Sequence, residues 1–254
     1  MKITNLEVIK ISYSLMNNSL RNAPKKIAII PARGGSKRIP KKNIKFFFGK
    51  PMIAWSIEAA KDSGLFDHII VSTDDHEIAE ISKLYGAEVP FVRPENLSDD
   101  FIGTGPVVKH ALKWFMEKLG EVDSVCTIYA TAPFVSAQDI NSGYALLTNA
   151  NVNMVFTVTS YPFPIQRALK ISDGRVEMVN PENYSFRSQD LEARYHDAGQ
   201  FYWSTTDAIL KDMSAFSCGA IPLILPRSQV QDIDTNEDWE RAELMFEVWR
   251  SSHQ

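Results

Sequence analysis

Cysteine is nearly missing, with only Cys126 and Cys218 in 254 residues. That scarcity excludes a disulfide-built scaffold and points to a reducing, cytoplasmic compartment. Cys126 lies in an apolar run and reads as a small buried residue. No apolar run approaches the roughly 20 residues a membrane-spanning helix needs. Positive charge is not in excess: 27 Lys and Arg face 31 Asp and Glu, for a net charge of −4. A nucleic-acid partner is therefore disfavoured. Two common phosphate-binding loops, G-x-x-x-x-G-K-[ST] and G-x-G-x-x-G, are both absent. Residues 1–25 show no hydrophobic core or cleavage site of a signal peptide. We expect them to be a poorly ordered extension, or the product of an upstream start codon, ahead of one domain over 26–254.

What the chain does have is concentrated in residues 27–43, IAIIPARGGSKRIPKKN. Ile27 to Ile30 reads as a buried parallel strand. The run breaks at Pro31 into a loop with Arg33, Gly34, Gly35, Ser36, Lys37, Arg38, Lys41 and Lys42. Glycines let backbone N–H groups turn toward a ligand, and five neighbouring cations can neutralise phosphate charge. A strand feeding such a loop places a nucleoside triphosphate at the carboxyl edge of an α/β sheet. As a cationic patch on an acidic protein, it favours a small anion over a polyanion.

Strand and helix patterns alternate, as in a mainly parallel, Rossmann-like sheet flanked by helices. Strands are expected at 68–72, 124–129, 154–159, 201–204 and 220–225, with an extended segment at 87–92. Helices are expected at 51–63, at 75–85 capped by Asp74, at 106–118, at 137–149 and at 238–250. The last carries Trp239, Ala242, Met245, Phe246 and Trp249 on one face. Residues 160–191 break this rhythm: Pro162 and Pro164 exclude a central element, and Asp173-Gly174 predicts a β-hairpin. We expect this excursion to serve as a dimer arm.

The segment from Ile30 to Asn43, IPARGGSKRIPKKN, resembles the signature of cytidylyltransferases that activate acidic sugars as CMP-sugars, the sialic-acid-type CMP synthetases. The likeness runs from about Lys26 to Arg250. The segments YHDAGQFYW (195–203) and YATAPF (129–134) are most similar to the branch acting on pseudaminic acid. The resemblance implies that an anomeric hydroxyl of a nonulosonic acid attacks the α-phosphorus of CTP, with a divalent metal assisting pyrophosphate departure. Such a reaction needs positioning and charge neutralisation more than covalent participation by the protein.

The resemblance also implies roles. Arg33 binds phosphate and Lys42 stabilises charge developing at the α-phosphate. Ser36, Lys37 and Asn43 add contacts to phosphate or ribose, while Lys41 is as readily a solvated surface lysine. Arg93 and Thr104 are candidates for reading cytosine; the alternative is a polar loop with Thr104 capping a helix. Asp232 and Asp234 fall on one side of an extended segment and suit Mg²⁺ as hard oxygen ligands. The sugar is expected over Tyr129 and over Asp197 to Gln200, Gln200 reading an amide. Sialic acid synthetases carry Gln-Pro where this chain has Tyr129-Ala130, and an Asn-Gly-Ala segment in place of 197–200. These departures disfavour ordinary sialic acid and favour a related sugar with different substituents, pseudaminic acid first; a CMP-synthetase for sialic, legionaminic or Kdo-type acids is the alternative. His196 is tempting as a base, but structural use is the simpler account. A non-catalytic nucleotide-binding module is the alternative from another class.

Overall fold

The structure is a computed structural model describing residues 25–150, 152–216 and 219–251. The expected N-terminal extension, apart from Lys25, and Cys218 lie outside the described residues. Strands are β1 (Lys25–Pro31), β2 (Phe46–Phe47), β3 (Lys50–Pro51), β4 (His68–Ser72), β5 (Val122–Ile128), β6 (Met154–Ser160), β7 (Leu169–Ser172), β8 (Arg175–Met178), β9 (Tyr195–Thr205) and β10 (Ile221–Ile224). Helices are α1 (Met52–Asp62), α2 (His76–Leu84), α3 (Thr104–Leu119), α4 (Ala137–Asn149), α5 (Thr206–Leu210) and α6 (Asn236–Ser251).

Six strands form the main sheet in the order β10-β6-β9-β5-β1-β4. β1 runs parallel to β4 and β5, and β10 parallel to β6. β9 alone is antiparallel to its neighbours β5 and β6. The alternation of β1 explains why helices must cover both faces. Ala28 and Ile30 join Cys126, Phe201 and Trp203 under α1 and α4, whereas Ile27 and Ile29 join Leu112 and Phe115 of α3. Cys126 is fully buried, and burial pushes its thiol well above the usual range.

A third cluster positions the site. Ile39 from the cationic loop packs with Phe47, Phe134, Ile233, Trp239 and Phe246. Phe47 meets Trp239 and Phe246 edge-on at 5.5 and 5.1 Å. Shared packing of Ile39 and Ile233 in this cluster thereby brings together segments almost 200 residues apart. The aromatic stripe of the last helix is core, as its spacing indicates.

The structure departs from the sequence reading in local ways. Asp75, not Asp74, caps α2 by accepting from Ile78 N at 3.0 Å. Asp74 is left for the loop, because only one carboxylate of the pair can occupy the cap. The expected extended segment at 87–92 makes a single bridge, Glu88 with Ile70. α3 begins two residues early, with Gly103 as its N-cap and Thr104 inside the first turn. β9 reaches back to Tyr195, six residues before the strand expected at 201–204. The hairpin β7–β8 forms as expected: Asp173 and Gly174 have φ of 51° and 73°, the left-handed pair that a two-residue turn requires.

Gly143 of α4 lies against the sheet so closely that an added Cβ would sit 2.9 Å from both Phe201 and Trp203 ring atoms. Helix propensity alone predicts that Gly143→Ala gains about 1 kcal/mol. Overpacking a core costs about 1–3 kcal/mol. We expect a net loss, read as a thermal midpoint lowered by several degrees; a raised midpoint contradicts the packing.

Candidate active site

At the carboxyl end of β1 lies a cavity of about 520 Å³. Arg33, Ser36, Lys37, Lys42, Asn43, Arg93, Thr104, Tyr129 and Asp234 all line it. Nine expected site residues, drawn from five separated stretches of sequence, thus share one concavity. Asp232 and Asp197 line a neighbouring cavity of about 660 Å³, and Asp234 borders both. Gln200 lines neither cavity. It is buried, its amide nitrogen donating to Gln229 O at 2.5 Å while its carbonyl oxygen has no protein partner among the described residues.

The loop's five cations each have an acidic partner. Arg33 and Lys37 both pair with Asp100, Arg38 and Lys42 both with Asp234, and Lys41 with Glu77. Three carboxylates serve five cations, so the loop keeps surplus positive charge. The hydrogen bond from Lys37, with Arg33 nearby, holds the Asp100 carboxyl below the usual range. Lys41 points away from the cavity toward Glu77 on α2, and both side chains are exposed.

Lys42 is held differently. Its side chain is 18% exposed, against 80% for Lys37. It donates to the Ile233 carbonyl and lies 3.4 Å from Asp234 Oδ1, while Arg38 approaches the same oxygen at 2.9 Å. The cluster that holds both Ile39 and Ile233 places these atoms together. Asn43 donates to the Arg33 carbonyl at 2.9 Å and closes the loop across its neck.

Arg93 is 5% exposed and forms the cavity floor, donating to the Ser72 hydroxyl at 3.1 Å and to the Ser72 carbonyl. Burial lowers its pKa from the ordinary value, opposed by Asp74. Thr104 Oγ1 lies 3.5 Å from Tyr129 Oη. The start of α3 therefore opens on the cavity, with first-turn N–H groups lacking helical partners. His196 is engaged structurally, its Nδ1 2.8 Å from the Asp197 carbonyl and its ring 4.9 Å from that of Tyr161.

Asp232 and Asp234 are suitable donors for a hard cation. Among the described residues no group of three or more His, Cys, Asp or Glu is disposed to hold a metal ion. The two carboxylates fit Mg²⁺ only where phosphate oxygens and water complete the shell, a common arrangement for this ion. Partial burial and the nearby Asp234 raise the Asp232 carboxyl above the usual range, with Lys42 opposing.

Sequence reasoning missed Asp74, whose carboxylate accepts from Gly34 N at 3.0 Å, and the pairing roles of Asp100 and Arg38. A clue existed for the first: in a doublet before a helix, one carboxylate caps and the other is spare.

A parallel strand, a cationic loop at its carboxyl edge and acids facing it across a cavity define an α/β protein built to hold a nucleoside polyphosphate. The chain belongs to the cytidylyltransferase family, whose model matches residues 27–213. It is 44% identical over 225 residues to a pseudaminic acid cytidylyltransferase of Campylobacter jejuni, covering 88% of this chain and 97% of that protein. It is 34% identical over 231 residues to a CMP-N,N'-diacetyllegionaminic acid synthase of Legionella pneumophila, covering 87% and 96% respectively. The fold is similar to that of a CMP:2-keto-3-deoxy-manno-octonic acid synthetase solved with CTP, with a TM-score of 0.64 and 16% identity over 88% of this chain and 99% of that one. No described helix is long and apolar enough to cross a membrane.

Gly34 supplies the close approach at the loop's start: a Cβ there would lie 2.8 Å from Asp75 Oδ2, whereas Gly35 faces open space. Gly34→Ala must displace the cap of α2, worth about 1 kcal/mol. We expect a lowered thermal midpoint and weakened CTP binding by calorimetry. Gly35→Ala should leave the midpoint unchanged; equal effects at both positions contradict the geometry.

Proposed function

We propose that the chain transfers CMP from CTP to pseudaminic acid and releases pyrophosphate. The observation that carries this reading is the single cavity joining four of the loop's cations, Arg93, Thr104 and Asp234. The sugar is chosen from the 44% identity to a relative named for pseudaminic acid. A legionaminic acid is the second reading, favoured by the 34% relative.

Arg33, Ser36, Lys37 and Asn43 cradle the triphosphate, displacing internal pairs such as Arg33–Asp100. Arg93 and Thr104 sit where the base would lie, the guanidinium facing a carbonyl acceptor. Lys42 is the least exposed cation facing Asp234, so its charge acts with little screening. It stabilises negative charge building on the α-phosphate as the sugar oxygen attacks and the pyrophosphate leaves. Mg²⁺, held by Asp234 and Asp232 with phosphate oxygens, would supply further charge neutralisation. Tyr129 and Asp197 line the sugar's side. One domain over 26–254 carries these groups, and the buried Cys126 thiol suits the cytoplasm.

A homodimer through the excursion at 160–191 is part of this reading. Leu169, Ile171 and Val176 of the hairpin are 63, 77 and 64% exposed, an apolar surface on a two-stranded ribbon that is marginal alone.

With CTP, Mg²⁺ and pseudaminic acid, wild type should release pyrophosphate and Lys42→Ala should be slower by about 10²-fold or more. Chelation should stop turnover and Mg²⁺ restore it. Release with N-acetylneuraminic acid alone contradicts the sugar choice. Light scattering should give twice the chain mass, and Ile171→Asp with Val176→Asp should give the monomer; a monomeric wild type contradicts the arm's role.

A further inference from the structure

Asp197 and Tyr202 are five residues apart on β9, and in a regular strand an odd separation sends side chains to opposite faces. Here they meet: the Tyr202 hydroxyl donates to Asp197 Oδ2. The cause is a large bulge. Val158 pairs with Asp197 while Phe156 pairs with Tyr202, so two steps along β6 answer five along β9. Gly199, at φ 62°, permits it, and its N–H donates to Asp197 Oδ1 at 2.8 Å. Such bulges re-aim side chains near functional sites.

The same phenol faces the other way as well. Its ring lies 5.4 Å from that of Tyr129. Thr104 Oγ1 lies 3.5 Å from Tyr129 Oη. The Tyr202 ring stacks on Phe156 at 5.9 Å and 6°, which fixes where its oxygen sits. Burial first, then Tyr129 and Asp197, push the Tyr202 phenol far above its ordinary value, so it remains a donor. Tyr129 borders the nucleotide cavity and Asp197 the acidic one beside it.

We propose that Tyr202 is a positioning residue, its ring packed against Tyr129 and its hydroxyl bound to Asp197, joining the two into one unit on which recognition of the acidic sugar depends. The proposal rests on the function given above. It adds a residue that touches neither substrate: with the phenol in place, the Asp197 carboxylate keeps fixed lone pairs toward the sugar, and Tyr129 keeps a fixed edge.

The test is Tyr202→Phe in the full chain, which preserves the ring and its stacking. Pyrophosphate release is measured with CTP and either pseudaminic or N-acetylneuraminic acid, alongside CTP affinity and the thermal midpoint. We expect kcat/KM for pseudaminic acid to fall about tenfold, the scale of a partly buried acceptor losing its hydrogen bond. CTP affinity should stay within about twofold, and preference between the sugars should narrow. Tyr202→Phe added to Asp197→Ala should cost little more than Asp197→Ala alone, since residues acting as a unit are not additive. Unchanged sugar kinetics in Tyr202→Phe overturn the proposal. So does equal loss of CTP and sugar affinity with a lowered midpoint, which is the mark of a packing role. If wild type releases pyrophosphate with neither sugar while binding CTP, the functional reading fails first and takes this inference with it.

Discussion

Everything in this site depends on keeping five cations within ten residues of loop without a ligand to neutralise them. Like charges so close repel, and an unanchored loop would splay into water. Two devices prevent that. Three carboxylates, Asp100, Glu77 and Asp234, reach the loop from three other parts of the chain. Ile39, only 1% exposed, nails the loop's middle into an aromatic cluster. The result is a rigid cradle with its positive charge only partly quenched, which is what a triphosphate needs. The surface pairs are individually weak and exchangeable, so an incoming anion can take over the cations one by one.

Apolar packing decides where the acids stand. Ile233 belongs to the same cluster as Ile39, and it alternates with Asp232 and Asp234 along an extended segment. Burying the isoleucine turns the aspartates out toward the cavities. Lys42 then reads that segment twice, through the Ile233 carbonyl and Asp234. Hydrophobic contact between remote segments thus sets the electrostatics, and the reaction chemistry follows from the electrostatics.

Much of this was legible in the chain. The strand at 27–30, the two-residue hairpin turn and the stripe from Trp239 to Trp249 all follow from local periodicity or turn chemistry, and the structure has each. The cationic loop was legible because its function is local: strand, glycines and cations come in order. Less visible were features requiring two distant segments. Nothing near Asp100 says it will meet Arg33 and Lys37. The choice between Asp74 and Asp75 as cap turns on which one Gly34 needs. Gln200 looks like a ligand contact in sequence, and its burial and its bond to Gln229 O come only with the fold. The bulge that brings Asp197 to Tyr202 depends on unequal pairing with β6, and a single Gly199 is its faint trace.

The central claim is that an under-neutralised cationic loop, not general shape, selects a triphosphate. The direct measurement is calorimetric affinity for CTP, CDP and CMP across increasing salt. The account predicts tighter binding with each added phosphate, and a CTP affinity that falls steeply with ionic strength while that of CMP changes little. Equal affinities for CTP and CMP, or a CTP affinity indifferent to salt, would contradict it.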